Sequence, residues 1–143
     1  LATKSILIKK TFFKSNFLED ANFKNARFDA LAEFSIINFR RNAYFSESIF
    51  NKISKFLGVR FQGEANFSST YFVTDAKFED ASFAGDLNLT DSTFDQLKLP
   101  WNSIKYKIVN DKETYLNLIY NYNQLGWNED RNSCYYDYRD KKA

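Results

Sequence analysis

The chain has 143 residues, a length that fits one domain with a core, or one domain with a small appendage, and that excludes two ordinary domains. Hydrophobic residues make up 44% of it and charged residues 27%, an ordinary globular balance. The net charge is +2, with 13 basic and 12 acidic residues up to residue 100 and 7 basic and 6 acidic residues after it. This even distribution indicates neither a polyanion binder nor an acidic mimic of nucleic acid.

The composition is unusual in a few residue types, with 16 Phe, 1 Pro, no His, no Met and one cysteine, Cys134. A single cysteine permits no internal disulfide, which fits a reducing compartment, so we expect a cytoplasmic location. Apolar runs of about 18 residues and a signal-peptide pattern are absent, so we expect this stretch of chain to be soluble. Because Met is absent, we also expect a fragment or processed product of a longer protein.

Phe recurs from residue 12 to residue 94 at spacings that alternate between five and six residues, with Leu89 in the one gap. Two residues before most of these positions lies a small residue, such as Ala21, Ala26 or Ala32. Residues two apart point to the same side of an extended backbone, so small and large residues should share one interior. The large residues, which we call the ladder, are Phe12, Phe17, Phe23, Phe28, Phe34, Phe39, Phe45, Phe50, Phe56, Phe61, Phe67, Phe72, Phe78, Phe83, Leu89 and Phe94.

An eleven-residue period has two explanations, a right-handed coiled coil or a β-solenoid. On a helix, residues five apart are separated by about 140°, so the ladder would point to opposite sides and the helical explanation fails. We therefore predict a β-solenoid whose coils have four sides of five, six, five and six residues, with the rings of successive coils stacked on one another. Extended backwards, the period reaches Ile6 and Leu1, and extended forwards it reaches Pro100 and Lys105. The repeat is thus predicted over residues 1–99, in about 4.5 coils.

The segments "ANFKN", "ARFDA", "AKFED" and "ASFAG" resemble pentapeptide repeats, whose pattern is a small residue, Asp or Asn, Leu or Phe, and two variable residues. The alternation of five and six resembles a Phe-centred variant of that family. The resemblance implies an all-β solenoid, specifically a right-handed quadrilateral β-helix, in which the large and the small residue face inward.

Exposed residues should also align in columns that repeat once per coil. The least polar of these columns contains Arg27, Ile49 and Tyr71. It is either an ordinary solvated face or a docking surface, with Ile49 and Tyr71 as the interaction candidates.

Residues 100–143 are predicted to form a helical hairpin, because Pro100 breaks the period and Tyr replaces Phe. Asn110 and Glu113 have the spacing of an N-cap box, and Gly126 is a natural C-terminal stop, so the first helix is predicted over about 111–125. Asn128 opens a second helix, predicted over about 129–142, with acidic residues in its first turn.

The hairpin has two candidate roles, which are compatible. It could cap the open end of the solenoid, or it could form a homodimer interface anchored by Tyr and Trp. Its segment "YNQLGWNEDRNSCYYDYRDKK" resembles one that precedes membrane segments in some prokaryotic pentapeptide-repeat proteins, which implies a membrane-anchored, ion-channel-like protein of which this chain is the soluble part. The interaction candidates here are Tyr115, Ile119, Tyr122, Trp127, Tyr135 and Tyr138.

No catalytic set is recognisable, because His is absent and no nucleophile and base, phosphate-binding loop or cysteine metal motif appears. Carboxylates such as Asp20 and Asp80 fit turn chemistry better than catalysis. We therefore expect a structural and protein-interaction module with no enzymatic activity, no cofactor, no bound metal and no nucleic-acid partner. The alternative, a topoisomerase-binding protein that mimics DNA as some pentapeptide-repeat dimers do, is disfavoured by the near-neutral charge.

Overall fold

The computed structural model describes the backbone of residues 6–8, 12–13 and 15–142, and side chains within residues 15–141. Over this range the chain forms short strands followed by three helices. The strands are β1 (Ile6–Ile8), β2 (Phe12–Phe13), β3 (Asn16–Phe17), β4 (Ala21–Asn22), β5 (Ala26–Phe28), β6 (Ala32–Ser35), β7 (Asn38–Phe39), β8 (Ala43–Tyr44), β9 (Ile49–Phe50), β10 (Ser54–Lys55), β11 (Arg60–Phe61), β12 (Ala65–Asn66), β13 (Tyr71–Lys77), β14 (Ser82–Phe83), β15 (Leu87–Asn88) and β16 (Thr93–Lys98). The helices are α1 (Trp101–Ile104), α2 (Lys112–Leu125) and α3 (Asn128–Lys142).

The strands pair in parallel and stack into four sides of a coil. Side 1 contains β1, β5, β9 and the first residues of β13 and β16, and side 2 contains β2, β6, β10 and the last residues of β13 and β16. Side 3 contains β3, β7, β11 and β14, and side 4 contains β4, β8, β12 and β15. Phe61 and Phe83, which the sequence places one coil apart, are register partners. These pairings confirm a parallel β-solenoid of about 4 turns of about 22 residues each.

The predicted register is wrong at the amino-terminal end. Ile8, not Ile6, lies opposite Phe28, whereas Phe12 keeps its place opposite Phe34. Ile8 and Phe12 are four positions apart in the sequence, whereas Phe28 and Phe34 are six apart, and Ile6 takes the place opposite the small inward residue Ala26. An unshifted period would have given that place to a lysine. The prediction for Leu1 lies outside the described residues.

The period also shifts by one residue at the other end, between Phe72 and Asp75, so that Leu97 lies opposite Ala76. Leu97 and Leu99 are fully buried as a result. An unshifted period would have turned Lys98 and Pro100 inward, and burial of an unpaired lysine is costly. The shift of one residue thus turns Leu97 and Leu99 inward in place of Lys98 and Pro100, which the extended period would have placed there.

The coil continues past residue 99. Helix α1 takes the place of a strand above β14, with Trp101 and Ile104 buried, and Ile108 then pairs in parallel with Leu87 of β15. The predicted domain boundary at residue 100 therefore falls within the last coil.

Stacked phenylalanine rings fill the interior of the coil. Rings one coil apart lie nearly parallel, as in Phe28 and Phe50, whose centroids are 4.4 Å apart, and Phe39 and Phe61, whose centroids are 5.3 Å apart. Rings of sides 2 and 4 meet edge to face across the interior, as Phe34 and Phe45 do at 89°, whereas rings across the five-residue corners are tilted, as Phe56 and Phe61 are at 40°. The stacked and the edge-to-face arrangements both suit the aromatic quadrupole, so each ring gains attraction in two directions.

Most of the ladder is buried, and only its ends are partly open. Phe17 and Phe94 are partly buried, and for Phe12 only the backbone is described. The remaining members are buried: Phe23, Phe28, Phe34, Phe39, Phe45, Phe50, Phe56, Phe61, Phe67, Phe72, Phe78, Phe83 and Leu89.

The five-residue corners contain a tight turn that explains their length. The third residue of each turn has a left-handed backbone, and an amide such as that of Ala26 donates back to the carbonyl of Phe23. These left-handed residues recur every eleven positions: Asn25, Ile36, Glu47, Gly58, Ser69, Asp80 and Asp91. Asn, Asp and Gly adopt this conformation readily, whereas a β-branched residue is strained in it.

Ile36, with a φ of 56°, is the position where this strain should be measurable. We expect Ile36→Asn to raise the free energy of unfolding by about 0.5 to 1 kcal/mol, because Asn tolerates the left-handed region and because the Ile36 side chain is 59% exposed. Urea unfolding followed by circular dichroism measures the change. The matched control is Gly58→Ala one coil later, where the added Cβ should lower stability. A loss of stability in Ile36→Asn would contradict the prediction.

Candidate interaction surfaces

The helices cover the open end of the last coil and supply hydrogen-bond partners to its backbone. The side-chain amide of Asn121 on α2 accepts from the Leu97 N–H at 3.0 Å and donates to the Leu97 carbonyl at 2.8 Å. It thus takes the place of a peptide group in the missing next coil. The Tyr122 hydroxyl donates to the Leu99 carbonyl at 2.6 Å, and the Lys107 ammonium donates to the Ala84 carbonyl at 3.0 Å.

Local capping fixes both ends of α2. Asp111 caps α2, because its carboxylate accepts from the Thr114 N–H at 3.0 Å and from the Thr114 hydroxyl at 2.8 Å. The prediction of Asn110 as the N-cap is therefore wrong: the Asp and Thr three residues apart form the cap one position later. Gly126 ends α2 in a left-handed conformation with a φ of 74°, which confirms it as the stop.

Helices α2 and α3 form the expected hairpin and bury several of the residues that the sequence offers to a partner. Tyr115 and Tyr122 are buried, and Tyr115 donates to the Asp137 carboxylate at 2.6 Å. Ile119, Trp127 and Tyr138 are partly buried against the same core. The prediction that Tyr115 and Tyr122 contact a partner is therefore corrected, because both side chains are packed inside the cap.

Burial also shifts the ionisation of this core. Burial raises the pKa of the Cys134 thiol to about 12, and the neighbouring Asp137 carboxylate acts in the same direction. The pKa values of Tyr115 and Tyr122 are raised as well, chiefly by burial. All three groups are therefore neutral in the folded protein near pH 7, and Cys134 is a core residue without thiolate character.

The hairpin nevertheless exposes a set of apolar and aromatic side chains, which we call the hairpin patch. Leu116 and Tyr120, four residues apart on α2, are 38% and 67% exposed. Tyr135 and Tyr136 on α3 are 46% and 54% exposed, with ring centroids 5.8 Å apart. Of these four residues, only Tyr135 was predicted as an interaction candidate. The others could have been found from the sequence, because they lie opposite the apolar face of their helix.

The helices leave the end of side 1 incompletely covered. Phe94 is only partly buried there and lines a cleft of about 220 Å³ together with Thr93, Asn117 and Tyr120. The hairpin patch therefore adjoins an opening onto the last coil.

The column of Arg27, Ile49 and Tyr71 runs along side 1 as expected, since these residues are register partners on β5, β9 and β13. Tyr71 is 48% exposed and Ile49 is partly exposed, whereas Arg27 is paired with Asp29 at 3.0 Å. This column offers one aromatic ring and little continuous apolar area.

Polar side chains at the corners, among them the Asp20 carboxylate, accept hydrogen bonds from backbone N–H groups of the next coil. Asp20 accepts from the Asn42 N–H at 3.0 Å, and the Asn42 side chain accepts from the Glu64 N–H at 2.9 Å. In the part of the chain that the structure describes, no group of His, Cys, Asp and Glu is placed to hold a metal ion. The described helices likewise include none with the length and apolar content needed to span a membrane.

The fold therefore defines a parallel β-solenoid with a helical cap at its carboxyl-terminal end. Residues 37–93 match the family model described as pentapeptide repeats (9 copies), so this part of the solenoid is similar to pentapeptide repeats. Comparison with curated proteins and with solved structures found no match. Such solenoids form a structural family that is generally non-enzymatic, which supports a structural or interaction module.

Asn121 provides a test of the cap. We expect Asn121→Ala to lower the free energy of unfolding by about 2 to 4 kcal/mol, because it leaves the buried N–H and carbonyl of Leu97 without partners. Urea unfolding measures the loss. Asn117→Ala, at an exposed position of the same helix, is the control and should change stability by less than about 0.5 kcal/mol. Equal effects of the two changes would argue against a capping role.

Stability should also fall in alkaline solution. The unfolded chain releases protons near pKa 9.0 from Cys134 and near 10.0 from Tyr115 and Tyr122, whereas their folded pKa values are raised. Their contribution is therefore complete below about pH 9, and each group then removes about 1.4 kcal/mol per pH unit until its folded pKa is reached. Urea unfolding at a series of pH values between about 8 and 11 measures the slope. Cys134→Ala should flatten it near pH 9 to 10, and a pH-independent stability would contradict the assignment.

Proposed function

We propose that the chain is a non-enzymatic scaffold that associates with a second copy of itself through the hairpin patch. The observation that carries the proposal is the exposure of Leu116, Tyr120, Tyr135 and Tyr136 on a hairpin whose other aromatic residues are used in the cap. Tyr is among the residues that contribute most to protein interfaces, because it buries a large area at a low cost in side-chain entropy.

The arrangement of the helices favours a continuous surface. Tyr115 contacts Tyr138, and Arg131 donates to Asn123 at 2.9 Å, so α2 and α3 run antiparallel with these residues paired. Along the helix axes, Tyr135 of α3 therefore lies beside the middle of α2, between the positions of Leu116 and Tyr120. A second hairpin packed across this level would bury all three side chains.

A solution mass measurement by sedimentation equilibrium tests the proposal. We expect a mass of twice that of the chain, and we expect Tyr120→Ser with Tyr135→Ser to weaken the dimer at least about tenfold, since both side chains would lose buried area. Tyr106→Ser is the control, because Tyr106 is 84% exposed and lies outside the hairpin. A monomer at all concentrations, or the same weakening by the control, would reject self-association.

We further propose a cytoplasmic location, with the hairpin leading into a membrane segment of a longer protein. The resemblance of residues 122–142 to segments that precede membrane helices supports this version. It predicts an apolar run of about 18 or more residues after Ala143 in the full reading frame. A stop codon directly after Ala143 would remove the membrane-anchored version and leave self-association unaffected.

The topoisomerase-binding alternative gains no support from the surface. A mimic of DNA needs continuous negative charge, whereas side 2 carries Lys55, Lys77 and Lys98 in successive coils.

A further inference from the structure

Side 2 carries like charges in register. Lys55 lies opposite Lys77 in the pair of β10 and β13, and Lys77 lies opposite Lys98 in the pair of β13 and β16. The residues on either side of Lys55 and Lys77 are buried, so both lysine side chains point outward. Like charges directly opposite each other destabilise a sheet, so this column needs an explanation beyond folding.

Little within the described residues neutralises the column. Lys98 is 3.7 Å from the Asp75 carboxylate, but Lys55 and Lys77 have no ion pair there. Glu33, the register partner of Lys55 on the other side, instead accepts from the Ser35 hydroxyl at 3.1 Å.

An apolar groove runs beside the column. It has a volume of about 570 Å³ and is lined by Leu31, Lys52, Ile53, Lys55, Thr74 and Asp75. Leu31 and Ile53, which occupy equivalent positions of successive coils, are 43% and 36% exposed. The groove thus offers an apolar shelf of Leu31 and Ile53, and Lys55 of the column lies along its edge.

We propose that this groove binds an extended acidic peptide segment in which acidic and apolar residues alternate. The shelf residues precede the column residues by two positions, as Ile53 precedes Lys55, so shelf and column run in parallel about 7 Å apart. A peptide lying between them along the solenoid axis directs alternate side chains to opposite sides, apolar groups to the shelf and carboxylates to the lysines. Residues on one side of the extended peptide are about 7 Å apart, whereas successive coils are about 4.8 Å apart. The long, flexible lysine side chains can bridge this difference in spacing.

The same features favour a peptide over an anionic membrane. Asp75 and Glu33 lie on this face, where they would repel a flat negatively charged surface. A peptide can place its carboxylates at Lys55 and Lys77 and avoid both acids. The site lies on the solenoid, outside the hairpin patch, and the proposal does not depend on self-association.

The test is fluorescence polarisation with a labelled heptapeptide in which four Glu alternate with three Leu. We expect saturable binding that weakens at higher salt and at least about tenfold in Lys55→Gln with Lys77→Gln, since two charge-assisted contacts are lost. Ile53→Ser should weaken it too. The matched control, Lys24→Gln with Lys112→Gln, removes the same charge at exposed positions elsewhere and should leave the affinity unchanged.

Three outcomes would overturn the proposal. They are no saturable binding to the wild-type chain, equal weakening in the control variant, or equal affinity for a peptide of the same composition with its three Leu grouped at one end. Sedimentation with vesicles of phosphatidylserine and phosphatidylcholine separates the lipid explanation. Binding to vesicles that Lys55→Gln with Lys77→Gln abolishes, without peptide binding, would assign the column to a membrane. Melting curves of all variants verify folding, and the Lys55 and Lys77 variant should melt no lower than wild type, because it relieves repulsion.

Discussion

The rest of the structure depends on one geometric agreement, between the spacing of parallel strands and the spacing of stacked aromatic rings. Successive coils must lie about 4.8 Å apart for their backbones to hydrogen-bond. Phenyl rings one coil apart lie 4.4 to 5.3 Å apart, so backbone and side chains are satisfied by the same repeat. Because each ring also meets its neighbours edge to face, Leu or Met could fill the volume but could not supply the directional contacts.

This agreement explains why so much of the fold could be predicted from the sequence. The period fixes which side chains face inward, and the only close competitor, a helix, fails on the angle between ladder positions. The register shifts that place Ile8 opposite Phe28 and turn Leu99 inward could not be predicted by extrapolation, which assumes corners of constant length, although the burial of Lys98 or Pro100 would have been unfavourable. The capping role of Asn121 could not be predicted from the sequence, because it depends on where α2 crosses the last coil.

For the candidate surfaces too, the sequence predicts the secondary-structure elements but not which of their side chains the tertiary packing buries. Sequence periodicity predicts the hairpin but does not show which of its aromatic residues are buried in the cap. It therefore offers the buried Tyr115 as a partner contact and does not identify the exposed Tyr120. Lys55 and Lys77 of side 2 lie 22 residues apart in the sequence, whereas Lys98 joins them only through the register shift. The net charge of +2 does not reveal this local positive charge, because it sums the charges of all four sides, whereas a ligand contacts one side.

Asn121 and Tyr122 of α2 hold the cap to the last turn of the solenoid, through hydrogen bonds to Leu97 and Leu99. Every earlier coil meets only the coils directly above and below it. Duplication or deletion of the residues of one whole coil upstream would thus leave the hairpin seated as before and change only the distance from it to the far end. Rod length in this architecture is a quantity that evolution or an engineer can adjust in whole steps, without redesigning either the interior or the end piece.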